Sequence, residues 1–514
     1  MKLKSLILGS IAAAGLSTAG YAADLGVLTS LDVCNTLGLS GLTISSDTNC
    51  LQISGGVSYE FNWGDYRRSA NFDALPLNPW ADADDGTNDF PVNGSAINGI
   101  NGAEEWIDYE SKVEAWLRLV GTASSDFGSA KAVIGFHQVN RNRTINAGWT
   151  QSDDAPALGG GYFGQGLNND STNGLELSEA YVSIGDSTII MAGLRKDGKD
   201  GSVGNFDDDT PFNYLGTFGS SITSNGLLFK DGAPIFGGAS IQVVTDLGNG
   251  VNVGVGLENI DNTDGNTKSE KGISNDLTAN MMPSEYAGTL LGVVNYAGEN
   301  LTAHVTAGAI GVLDGNVDSW FAHAGATGTF DAFKLRAAFA YLRDDTYGAD
   351  ADFFQGLVSG QATFDMFTIA LSGEYKSSNV AGIGVDGFGF GGSVGAALTD
   401  TISLNLGGRY FNTSPDGLAD FDQWQIEAQL VAALTETIKV TGAVGVYGGD
   451  VVTASLDPAG AGAGMPNLSG RDSAFYGSLG LDWNPGGGFL TSVKGMATSE
   501  GAYKATFKAS KSFE

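Results

Sequence analysis

The sequence predicts an all-β fold, a transmembrane antiparallel β-barrel of about 16 to 20 strands with short periplasmic turns and long extracellular loops. Three observations predict it. The first and last segments able to form strands each carry one apolar and one polar face; tight polar turns recur between alternating segments; and an export signal is followed by no apolar run long enough for a membrane helix. A helix needs about 18 apolar residues to cross a bilayer, whereas a barrel strand needs about ten that are only half apolar.

The pattern is clearest at the end of the chain. Tyr503, Ala505, Phe507, Ala509 and Phe513 fall on one face of an extended segment, opposite Lys504, Thr506, Lys508, Ser510 and Ser512. An alternating strand at a sheet edge invites pairing with other chains, so something has to cover it. The segment from Leu51 to Trp63 offers the same texture, with Val57, Tyr59, Phe61 and Trp63 against Ser58, Glu60 and Asn62. Joined edge to edge, the two segments close a sheet into a cylinder with lipid outside and water inside. Composition agrees: 77 glycines, 11 prolines and 16% charged residues in 514 fit close-packed strands and neither a disordered nor a collagen-like chain.

In chain order, Lys2 and Lys4 precede an apolar run from Leu6 to Leu16 and then Gly20-Tyr21-Ala22, the form of a secretory signal peptide over residues 1–22. Its removal takes two lysines and no acid, moving the net charge from −32 to −34. Residues 23–50 form an N-terminal periplasmic segment holding the only cysteines, Cys34 and Cys50. In an oxidising compartment such a pair reads as one disulfide, two buried thiols being the alternative.

Residues 51–514 form the barrel. Nine tight turns mark it: Ser124–Gly128, Gly185–Ser187, Asp246–Gly250, Ala297–Asn300, Phe330–Phe333, Phe364–Phe367, Leu398–Asp400, Leu434–Glu436 and Trp483–Gly487. Gly, Asn and Asp supply the backbone angles that hairpins need. Nine turns flanked by strand pairs, with a first and a last strand, give twenty segments. Within them charge keeps to one face: Val113, Ala115, Leu117 and Leu119 oppose Lys112, Glu114, Trp116 and Arg118, and Ile402, Leu404, Leu406 and Tyr410 oppose Ser403, Asn405 and Arg409. Tyr59, Trp63, Tyr341, Tyr410, Tyr503 and Phe513 sit near strand ends, where amphipathic rings favour the bilayer interfaces.

The long loops are acidic. Asp82, Asp84, Asp85 and Asp89 invite a calcium reading, but Gly86 takes the fifth place of an EF-hand loop and no acid stands at the twelfth, so no metal or cofactor is expected. No catalysis is expected either, because His137, His304 and His323 fall in predicted strands without a Ser/Asp partnership. One loop, at about 196–234, alternates aromatics with the triplet Asp207, Asp208 and Asp209. Folded inward, the triplet narrows the lumen opposite inward-facing bases, for which alternation nominates Lys112, Arg118, Lys334, Arg336 and Arg409. Opposed charges across a narrow passage sort solutes by charge and size. An exposed acidic tip is the alternative.

Val33-Cys34, followed by Asp47-Thr48-Asn49-Cys50-Leu51-Gln52-Ile53-Ser54-Gly55-Gly56-Val57, resembles the N-terminal signature of the alphaproteobacterial outer-membrane porins. Glu179-Ala180-Tyr181-Val182 with Gly185 is similar to that family's strand before its constriction loop, as is the C-terminal strand to its counterpart. The resemblance implies a homotrimer in outer-membrane lipid whose third long loop, here the one holding Asp207, folds into the pore. It also implies about sixteen strands and a terminal aromatic, whereas twenty segments are counted and Glu514 follows Phe513. The expected function is a general diffusion porin of the bacterial outer membrane, passing small hydrophilic solutes and ions and, from the acidic excess, preferring cations; nucleic acid is not an expected partner. A substrate-specific channel, or a secreted acidic β-rich adhesin or surface-layer protein, are the alternatives.

Overall fold

The computed structural model describes residues 32–65, 108–146, 165–169, 175–197, 200–212, 236–260, 288–315, 317, 319–344, 351–380, 382–417, 420–454, 466–499 and 503–514. The expected signal peptide, the acidic loop around Asp82 and the long loop beyond Phe212 lie outside these residues.

A short helix α1 (Asp32–Thr36) precedes β1 (Thr43–Ser45), β2 (Asn49–Asp65), β3 (Asp108–Ser125), β4 (Gly128–Asn146), β5 (Gln165–Asn169), β6 (Glu176–Ile184) and β7 (Thr188–Asp197). The long loop leads on to β8 (Gly237–Gly248), β9 (Val251–Glu258), β10 (Thr289–Ala297), β11 (Leu301–Ile310), β12 (Ser319–Phe330), β13 (Phe333–Asp344), β14 (Ala351–Phe364) and β15 (Phe367–Val380). The chain finishes with β16 (Ile383–Ala397), β17 (Ile402–Pro415), β18 (Phe421–Ala433), β19 (Ile438–Ala454), β20 (Pro466–Gly486), β21 (Phe489–Thr498) and β22 (Tyr503–Phe513).

Successive strands pair antiparallel, with one exception: β5 and β6 share one edge of β4 instead of pairing with each other, while β1 pairs only with β2. The two ends meet where expected, β2 lying along β22 from Gly55 opposite Phe513 to Asp65 opposite Tyr503. The wall is therefore a closed ring of twenty strands. Each of the nine predicted turns joins two wall strands and none is an excursion within a loop, which corrects the sixteen strands implied by the resemblance. Asn249, Asp331 and Asp365 adopt positive φ in three of these turns, at 54°, 53° and 50°, the conformation for which their short polar side chains are tolerated.

Alternation sorts the two faces of the ring. Val57, Val182, Val255, Leu371, Leu406 and Leu479 point out and are exposed, while inward positions are polar, small or covered from within. Rings gather towards the strand ends on the outer face, with Trp63 edge-on to Tyr503 at 5.5 Å and Trp320 against Tyr341 at 4.9 Å. Tyr341, Tyr375 and Tyr410 each donate their hydroxyl to an aspartate of the following strand, Asp352, Asp386 and Asp422, at 2.5, 2.9 and 2.7 Å. An apolar ring with a wet outer end suits the boundary between hydrocarbon and water. Among the described residues no helix is long and apolar enough to cross a membrane. The closed ring with its apolar exterior pairs its strands' backbone groups with one another and leaves no open sheet edge: it is a multi-pass β-barrel of the outer-membrane type.

β2 outruns β22 at its first residues, and the N-terminal segment fills the gap. Thr43 to Ser45 of β1 pair with Gln52 to Cys50, beyond the point where Phe513 ends the seam at Gly55. The Cys34–Cys50 disulfide fastens α1 to the same place. Gly41 lets the two segments abut: a Cβ there would stand 3.0 Å from the backbone carbon of Glu514, and its φ of 101° disfavours any side chain.

Candidate functional site

The loop that follows β7 turns into the lumen at once. A Cβ on Gly201 would overlap the Lys196 carbonyl oxygen, so only glycine makes this bend. From there one buried carboxylate holds the loop at both ends: Glu258, at the end of β9, accepts the Val203 N–H at 2.7 Å and the Gly237 N–H at 2.9 Å, and Gln242 Nε2 at 2.8 Å. The same Gln242 amide donates to the Gly201 carbonyl at 2.7 Å.

Further along, Asn205 and Thr306 exchange two hydrogen bonds, the Asn205 N–H donating at 3.0 Å and the Thr306 hydroxyl donating back to the Asn205 carbonyl at 2.8 Å. Phe206 then enters an apolar cluster built from the inner faces of β10 to β14, which includes Leu291, Ile310, Phe321, Leu342 and Phe353. Its ring lies 4.6 Å from that of Phe236, at the loop's return. A phenyl side chain fully removed from water contributes roughly 1.5–3 kcal/mol, enough to make this a fixed seat for the loop.

The acidic triplet comes next, and its three carboxylates are treated differently. Asp207 is exposed, Asp208 is bonded and Asp209 is buried. Asp208 sits at φ 59°; its carboxylate accepts the Thr327 hydroxyl at 2.5 Å and lies 3.3 Å from Arg336 Nη2. Arg336 also donates to the Thr210 carbonyl at 2.8 Å and lies over the Phe212 ring at 4.6 Å. Phe212 N–H donates to Ser359 at 2.9 Å. The loop thus runs across the inner wall from β9 to β14, and its Pro211 and Phe212 border a small cleft shared with Glu374, Arg409 and Phe411.

The five nominated bases all stand on inward faces but not in one place. Arg336, expected opposite the triplet, is bonded to it on the same wall, because the register of β12 and β13 brings Thr327 and Arg336 side by side. Lys334 lies two residues along that strand. Arg409 donates to Gln425 Oε1 at 2.9 Å. Lys112 and Arg118 stand on β3, across the ring from β13, paired with Glu114 at 3.4 Å and Glu179 at 3.4 Å. Around Glu179 gather Lys196 at 3.8 Å and Tyr181, whose hydroxyl accepts from Arg118 at 3.3 Å and whose ring carries Arg195 at 4.4 Å. Arg195, Lys196, Arg141 on Glu110 at 2.5 Å and Lys508 on Glu60 at 2.9 Å were not among the nominated residues. Alternation in the last strand had already set Lys504 and Lys508 on the polar face; the others needed the register.

No protein-family model matches the chain, and no curated protein does. Solved structures with a related outline include a loop-deletion mutant of OmpT, an outer membrane protein of Vibrio cholerae, at 10% identity and TM-score 0.38, covering 91% of this chain and 100% of that one. An anion-selective porin from Comamonas acidovorans stands at 12% identity and TM-score 0.36, with 90% and 100% covered. A mutant of the Rh. blastica porin stands at 11% and 0.30, with 90% and 100% covered. Matches of this strength add nothing to the architecture that the strand ring itself defines.

Proposed function

We propose that the protein is a general diffusion porin, a passive channel for small hydrophilic solutes and ions, akin to the alphaproteobacterial outer-membrane porins and assembled as a homotrimer. The observation that carries this reading is the inserted loop: a segment held inside a closed ring by Glu258, Asn205 and Asp208 narrows a lumen and has no use in a closed soluble core. The mixture of signs favours a general pore over a substrate-specific one. Lumen-facing bases are met by acids in Arg336 with Asp208, Arg118 with Glu179, Lys112 with Glu114 and Lys508 with Glu60, so among the described residues no continuous ladder of one charge leads a single solute through. Cation preference follows from the net charge of −32, which raises the local concentration of cations at the mouths. Purified protein in planar bilayers should give stepwise conductance and a cation-positive reversal potential; a protein that stays soluble without detergent and gives no steps overturns the channel reading.

A further inference from the structure

Two of the chain's three histidines meet beneath the inserted loop. His304 Nε2 lies 3.0 Å from His323 Nδ1, with the rings 5.2 Å apart and their planes within 9°. Both side chains are buried. The other nitrogen of His304, Nδ1, is 3.9 Å from Asp208 Oδ2, the carboxylate that Arg336 and Thr327 hold from its other oxygen. On the far side the His323 ring packs against Phe206 at 5.5 Å. Gly325 keeps the site compact, since a Cβ there would press on the His304 ring and on the backbone of Asp207. Among the described residues, the titratable and charged groups around His304 are Asp207 and Asp208 from the loop, His323 from β12 and Arg336 from β13.

A neutral pair of imidazoles holds two hydrogens on four nitrogens and shares one of them. With one further proton a single bare nitrogen remains, which is enough to keep the shared hydrogen bond. The nearby carboxylates decide which ring carries the charge, and they favour His304. We propose that His304 is a proton-operated clamp on the inserted loop: acidification sets a cation against Asp208 on the side away from Arg336 and holds the loop more firmly to the wall. Removing the proton returns Asp208 to Arg336 and Thr327 alone. The clamp regulates the channel proposed above and rests on that reading for its effect on current; its effect on loop motion does not.

Two readouts therefore test it on the whole protein in lipid. The native cysteines are joined to each other, so Pro211→Cys, at an uncharged and half-exposed position of the loop, can carry a single spin label without removing a carboxylate from the site. As the pH is stepped down from about 7.5 through and well below the interval in which exposed histidines take up protons, the label should slow in the parent and keep its motion in His304→Gln. In bilayers the rate of spontaneous closures should fall several-fold over the same range, and only with His304 present. A second variant, Asp208→Asn, keeps both rings but removes the carboxylate, and should lose the acid response as well. An acid response that survives in His304→Gln, or none in the parent, overturns the clamp. A label that slows on acidification in a protein without conductance supports the clamp and removes the channel reading; conductance steps with a pH-independent label and closing rate do the reverse.

Discussion

Glu258 and Arg336 fasten the loop in different ways, and their substitution should have different effects. Glu258 is fully buried and takes three donors from the loop's two ends and from β8. In Glu258→Ala those donors lose their acceptor at a cost of about 1–3 kcal/mol each, so the loop should leave its seat while the ring stays closed. Conductance should then rise and vary from channel to channel. Arg336 instead joins the tip, through Asp208, Thr210 and Phe212. Arg336→Ala strands Asp208 beside Thr327 with its main cation gone. Single-channel recording should show a higher but uniform conductance, because the Glu258 and Phe206 anchors remain.

Among the elements, the seam between β2 and β22 decides whether the ring closes. It is a ladder of eleven residue pairs, from Gly55 with Phe513 to Asp65 with Tyr503. Lys508 and Glu60 join across it at 2.9 Å, but both are partly exposed to lumen water, and such pairs contribute about 0–1 kcal/mol. Lys508→Ala should therefore leave the folded band on a semi-native gel unchanged, whereas deleting 503–513 should abolish it. The Cys34–Cys50 link holds α1 and β1 against the part of β2 that β22 does not reach. Replacing both cysteines by serine should lower the temperature at which the folded band converts, since the chain-entropy model gives a loop of this size roughly 3 kcal/mol. Ring, seam and turns were legible in the sequence, because a period of two recurs from strand to strand and Asn, Asp or Gly marks every predicted turn except Leu434–Glu436. Legibility stopped where strand register begins. Alternation places Arg336, His304 and His323 on inward faces, but only the pairing of β11 with β12 and β12 with β13 sets the histidines together and brings Arg336 beside Thr327. Glu258 was missed for the same reason: its partners lie in a loop whose path no local pattern fixes.

For the molecule as a whole, charge is arranged unevenly. Nominated and newly found bases face the lumen, most beside an acid, while the chain carries a net −32. A preference generated by overall charge acts over a distance that salt shortens, from about 10 Å at 0.1 M to about 3 Å at 1 M. Cation selectivity measured by reversal potential should accordingly weaken between those concentrations; a preference independent of salt would place its origin in close contacts within the lumen. The clasp of Glu258 on Val203 and Gly237 has a further consequence. A loop tied to its wall at departure and return behaves as part of the frame, so trading Asp207 for bulkier or slimmer side chains should change the aperture in graded steps without disturbing its mounting. That is the requirement for a calibrated sensing nanopore, where the bore is chosen residue by residue.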